Sequence, residues 1–241
     1  LQNTDYENGR AKSIAENNGG HQGVGFKVWT KESWFINNVA FNNEYVGMSI
    51  KPRHTGGNKA YLLNNTLANN NISIYGGQLS TNPSWPPVNG TLDLYIVNNI
   101  FNALNTSAIV INNDNRQFIK EENNNYYFSV YDDVNHPSPH WAWVDAIHFR
   151  NGSWGVTDQY SFIDVHDGGD WSSQSGLGDG SIGDSDAQSG QSDIGFVDLS
   201  TGNLKLDTNS LAIDAGDNAG VTHDIDGVVR DSTPDIGAYE F

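Results

Sequence analysis

Cysteine is absent from this chain of 241 residues, so neither a disulfide framework nor a thiol nucleophile exists, and redox logic says nothing of its compartment. Basic residues are scarce: 12 Lys and Arg stand against 29 Asp and Glu, for a net charge of −17. An acidic surface of that kind argues against nucleic acid and anionic membranes as partners. No apolar run reaches the length of about 18 residues that a membrane helix needs, so no membrane span is expected. The opening LQNTDYENGRAK has no apolar core of a signal peptide, and no Gly-x-Ser-x-Gly elbow occurs. Charged residues are only 17% while glycines number 26, a balance that favours many tight corners over helices.

What the chain does have is a recurring unit. Phe35-Ile36-Asn37-Asn38-Val39 overlays Leu62-Leu63-Asn64-Asn65-Thr66 and again Ile96-Val97-Asn98-Asn99-Ile100. A second strand reads Gly25-Phe26-Lys27-Val28, then Gly47-Met48-Ser49-Ile50, then Ile72-Ser73-Ile74. Repeats of about 22 to 34 residues point to a stacked architecture. Asparagine suits the corners because it tolerates left-handed backbone and bonds its own main chain. Stacked asparagines can also hydrogen-bond in a ladder. The expectation is all-β: a right-handed parallel β-helix (a solenoid) with an irregular C-terminal loop and cap region. An antiparallel sandwich has no reason to repeat one Asn-Asn corner.

Period-two alternation puts Phe26, Val28, Met48, Ile50, Ile72 and Ile74 inward. Aligned this way, Lys27, Ser49 and Ser73 form one outward column, and Trp29, Lys51 and Tyr75 form the next. Neighbouring strands lie about 4.8 Å apart, so the two columns make a strip. Aromatic rings for sugar stacking and lysines for carboxylates suit an acidic polysaccharide. Trp29, Ser49, Lys51, Arg53 and Tyr75 are the candidate substrate-binding residues, with His54 beside Arg53.

Three regions follow. Residues 1–130 hold the coils, ending in NRQFIKEENNNYYFSVY; residues 131–195 read as irregular aromatic and acidic Gly/Ser-rich loops; residues 196–241 close the chain. Leu1 opens inside a coil-like pattern, so stacking on further coils at the N-terminal end is expected. Gly178-Asp179-Gly180-Ser181-Ile182-Gly183 fits a dinucleotide pattern, but no βαβ unit surrounds it and its acidic company repels phosphate. His136 and His140 flank Pro137-Ser138-Pro139 in an extended turn, with weak claim to a metal.

Two resemblances sharpen this reading. GNLKLDTNSLAIDAG, DIDGVVR and DIGAYEF are similar to the C-terminal pattern of secreted right-handed parallel β-helix proteins. That resemblance implies a secreted or cell-surface protein and a capping role, with Asp224, Asp226, Arg230 and Asp235 tying the last loop to the last coil. Asp214, Asp217 and Asp231 add carboxylates that suit calcium, but no EF-hand spacing is present.

The stretch NNGGHQGVGFKV, then FINNVAFNNEYVGMSI, then YLLNNTLANN resembles polysaccharide lyase family nine, pectate-lyase-like β-helix enzymes, over residues 15–75. Gly23, Gly25, Phe26 and Lys27 match its Gly-x-Gly-Phe-Lys segment, as do Ala40-Phe41-Asn42-Asn43 and Asn64-Asn65-Thr66. The resemblance implies that Lys27 is the catalytic base and that Ca2+ is the cofactor. The chain departs from the family where Trp29 and Thr30 follow the lysine, and where Gly47-Met48-Ser49 replaces Gly-Phe-Asp. Ahead of Lys27, Asp5 and Glu7 form no aspartate cluster of the family's calcium-binding kind, so the metal residues stay unassigned. The matching chemistry is β-elimination, in which a cation acidifies the proton α to a uronate carboxylate and a neutral lysine takes it. A polysaccharide lyase thus leads the expectations. The alternatives are a non-catalytic polysaccharide-binding or adhesin β-helix and a structural surface or filament subunit. A glycoside hydrolase would need two carboxylates on one groove, and none is read from the outward positions.

Overall fold

The computed structural model describes residues 4–6, 24–28, 31–43, 46–50, 57–70, 72–76, 92–104, 109–111, 119–123, 125–130, 147–151, 155–160, 180–183 and 194–241. Among these the chain is all-β: eighteen strands and one short 3-10 turn, Leu199–Thr201.

Three parallel sheets take strands in strict rotation. Sheet A runs β1 (Thr4–Tyr6), β4 (Val39–Phe41), β7 (Thr66–Asn70), β10 (Ile100–Leu104), β13 (Tyr126–Val130) and β16 (Ile182–Gly183). Sheet B runs β2 (Val24–Val28), β5 (Val46–Ile50), β8 (Ile72–Gly76), β11 (Ile109–Ile111) and β14 (Ile147–Asn151), with β15 (Gly155–Tyr160) antiparallel on its edge. Sheet C runs β3 (Glu32–Ile36), β6 (Asn58–Leu63), β9 (Leu92–Val97) and β12 (Ile119–Asn123). From β1 to β14 the chain therefore visits A, B and C in turn, and each strand from β1 to β11 pairs with the one three elements later. Three of these strands, β14, β15 and β16, lie within residues 131–195, the stretch read above as loops.

The asparagine corners set this register. Phe35 pairs with Leu62 and Leu62 with Ile96, while Val39 pairs with Thr66 and Thr66 with Ile100. The first asparagine of each C-to-A corner is left-handed: Asn37 at φ 52°, Asn64 at 54° and Asn98 at 57°. Most residues lose about 1–2 kcal/mol there, whereas asparagine's short amide bonds locally. The second asparagine builds a ladder. Asn38 Nδ2 donates to Asn65 Oδ1 at 2.9 Å, Asn65 Nδ2 to Asn99 Oδ1 at 2.8 Å, and Asn99 Nδ2 to Asn125 Oδ1 at 3.0 Å. The ladder ends where the Asn125 backbone N–H donates to Ser181 Oγ at 3.1 Å. Gly180, at φ 65°, occupies the left-handed place, so Gly180-Ser181 is a glycine-serine version of the corner and not a phosphate loop. A shorter ladder, Asn43 to Asn70, marks the A-to-B corner, where Asn42 and Asn69 are left-handed.

Inside the stack Phe35, Leu62 and Ile96 line sheet C, Ala40, Leu67 and Phe101 line sheet A, and Met48 and Ile50 line sheet B, all buried. The other face of sheet A is also apolar, through Val39, Phe41, Ala68 and Ile100. The C-terminal segment covers it with Ile194, Phe196, Leu204, Leu206, Ala212, Ile236 and Ala238, the strands β17 (Phe196–Asp198) and β18 (Asn203–Leu206) pairing antiparallel. This differs from a cap tied to the last coil. The segment lies alongside the units carrying Asn37, Asn64 and Asn98, because their exposed apolar face on sheet A needs cover. Asn37 Nδ2 donates to His223 O at 2.6 Å, Asn64 Nδ2 to Asp235 O at 3.3 Å, and Asn98 Nδ2 to Asp217 O at 2.6 Å. Gly237, at φ 107°, passes so close that a Cβ there would sit 2.5 Å from Ile100 Cδ1.

Candidate functional site

The C-terminal segment covers sheet A over the units of β4, β7 and β10, and the candidate columns lie on sheets B and C. On sheet B the backbone register pairs Phe26 with Met48 and Met48 with Ile74, and in the same way Lys27 with Ser49 and Ser49 with Tyr75. Tyr75 continues to Val110 and Val110 to His148. The positions of Lys27, Ser49, Tyr75 and His148 thus share one column, on the face opposite to the buried Met48 and Ile50.

Tyr75 stands two positions from where the alignment of the repeats in the sequence puts it. That alignment set Ile72 against Met48, whereas Ile72 pairs with Val46 and Ile74 with Met48. Isoleucines at both positions satisfy the apolar pattern equally, so alternation alone left a two-residue ambiguity. Tyr75 therefore joins Lys27 and Ser49, and leaves the column assigned to Trp29 and Lys51. Trp29, Lys51, Arg53 and His54 lie outside the described residues, as do His136 and His140.

Sheet C carries a further aromatic and charged face. Trp34 pairs with Tyr61 and Tyr61 with Tyr95, and beside them Glu32 pairs with Lys59 and Lys59 with Asp93. The rings stack: Trp34 and Tyr61 centroids are 3.9 Å apart at 12°, Tyr61 and Tyr95 4.6 Å apart at 16°. The indole N–H of Trp34, a residue 46% exposed, donates to Glu32 Oε1 at 3.2 Å. The signal was in the sequence, since each ring stands three positions before the first asparagine of its corner. Rings that cover one another offer their edges, not their faces, to a sugar. The stack therefore serves first to lock sheet C in register, each pair adding about 0.5–1.5 kcal/mol beyond burial.

Among the described residues the shifted ionisable groups sit in the C-terminal segment. Arg230 Nη1 donates to Glu240 Oε2 at 2.7 Å and to Asp235 O at 3.1 Å, and Nη2 donates to Gly237 O at 2.7 Å. Burial lowers the guanidinium's pKa and raises those of the Asp235 and Glu240 carboxyls. Asp224 accepts from the Val228 and Glu240 backbones, and Asp226 pairs with Lys205 at 2.5 Å. These side chains fold the segment upon itself. Among the described residues no group of three His, Cys, Asp or Glu could hold a metal ion, so the calcium implied by the lyase resemblance has no donor set there. No helix among the described residues is long and apolar enough to cross a membrane. No family model, no curated protein and no solved structure matches the chain.

Proposed function

We propose that the chain is a right-handed parallel β-helix that acts on carbohydrate, as a polysaccharide lyase cleaving a uronate-containing polymer by β-elimination. The observation that carries this reading is the sheet B column, in which the Lys27 position of the Gly-x-Gly-Phe-Lys segment adjoins those of Ser49 and Tyr75 on stacked strands. The rotation of strands through three parallel sheets supports the β-helix itself. Right-handedness follows the near-universal rule for parallel crossover connections.

In this reading Lys27, in its neutral form, takes the proton α to the uronate carboxylate, and Ser49 hydrogen-bonds the same sugar. Trp29, Lys51 and Arg53 belong to the proposal as binding residues, the two cations offsetting substrate charge that a −17 protein otherwise repels. Ca2+, which the resemblance implies, would supply electrophilic help at the carboxylate. A secreted or cell-surface location goes with a polymeric substrate.

The test is ultraviolet absorbance for an unsaturated uronate product, on a panel of polyuronates, with calcium and with chelator. Product that disappears in Lys27→Ala, with the variant folded, supports the lyase. Folded wild-type protein that yields no product on any polymer removes it. The second reading, a non-catalytic polysaccharide-binding β-helix, draws on the charged and aromatic columns of sheet C. It expects binding that Lys27→Ala leaves intact and Trp34→Ala weakens.

A further inference from the structure

We draw no further inference here: the strongest candidate, the Trp34–Tyr61–Tyr95 stack beside the Glu32–Lys59–Asp93 column on sheet C, belongs to the polysaccharide-binding reading already described, and nothing in the structure shows what covers it.

Discussion

Arg230 Nη2 donates to Asn37 Oδ1 at 3.2 Å, joining residues 193 positions apart. The same guanidinium holds Glu240 and two carbonyls, with the Arg230 and Glu240 side chains only 2% and 8% exposed. A repeating stack frays from its ends, because each unit touches only its neighbours. Here the returning C-terminal segment hydrogen-bonds to three corners, at Asn37, Asn64 and Asn98, and so ties their units together.

Removing one partner of a buried ion pair strands the other charge. Arg230→Ala is expected to cost about 3–5 kcal/mol, and Glu240→Ala a comparable amount. The double variant should cost clearly less than the sum, since the two share one network. Chemical denaturation of the four proteins checks this; additive losses would mean that the pair is not coupled.

The pH response of the segment has a definite sign. Asp235 and Glu240 have carboxyl pKa values raised by burial above their ordinary 3.8 and 4.5. The folded state then binds more protons than the unfolded one between those ordinary values and the raised ones, so stability falls as pH rises through that window. Glu240→Gln should flatten the slope. Asp198 works oppositely, its pKa lowered by the Ser200 and Thr201 side chains, so its contribution is lost as pH falls through that lowered value. Chemical denaturation across about pH 2 to 7 spans both windows and reads the balance.

The asparagine ladder makes its own prediction. Asn65 Oδ1 accepts from both the backbone and side-chain nitrogens of Asn38, and its Nδ2 donates to Phe35 O and Asn99 Oδ1. Asn65→Ala leaves several buried groups unpaired at about 1–3 kcal/mol each. A loss of about 3–5 kcal/mol in thermal or denaturant unfolding is expected. Asn65→Ser should lose less, since Ser181 already ends the ladder with one hydroxyl.

Much of the fold was legible because its determinants are local and repeated. Asn37-Asn38, Asn64-Asn65 and Asn98-Asn99 announce both the left-handed turns and the ladder, and they fix sheet C and sheet A residue by residue. The B strands lack such a marker, and Ile72 and Ile74 fit Met48 equally well, which is why Tyr75 was misaligned by two. Gly180-Ser181 was read as a spurious nucleotide motif because serine replaces asparagine and 56 residues separate it from Asn125, against 26 for the previous step. The docking of the C-terminal segment on sheet A was not readable, since it depends on contacts spanning most of the chain. The Trp34–Tyr61–Tyr95 column was readable from the same corners, since each ring stands three positions before Asn37, Asn64 or Asn98.

The column of positions that carries the lyase reading depends on the register of sheet B, and the absence of native cysteine lets that be measured directly. Paired cysteines would be introduced as Ser49→Cys with Tyr75→Cys, and separately as Ser49→Cys with Ser73→Cys. Directly paired positions on neighbouring parallel strands lie about 4.8 Å apart, within disulfide range, while diagonal positions lie farther. The account predicts that the 49/75 pair crosslinks faster and more completely under mild oxidation. Preferential crosslinking of the 49/73 pair would contradict it, returning Tyr75 to the Trp29 column.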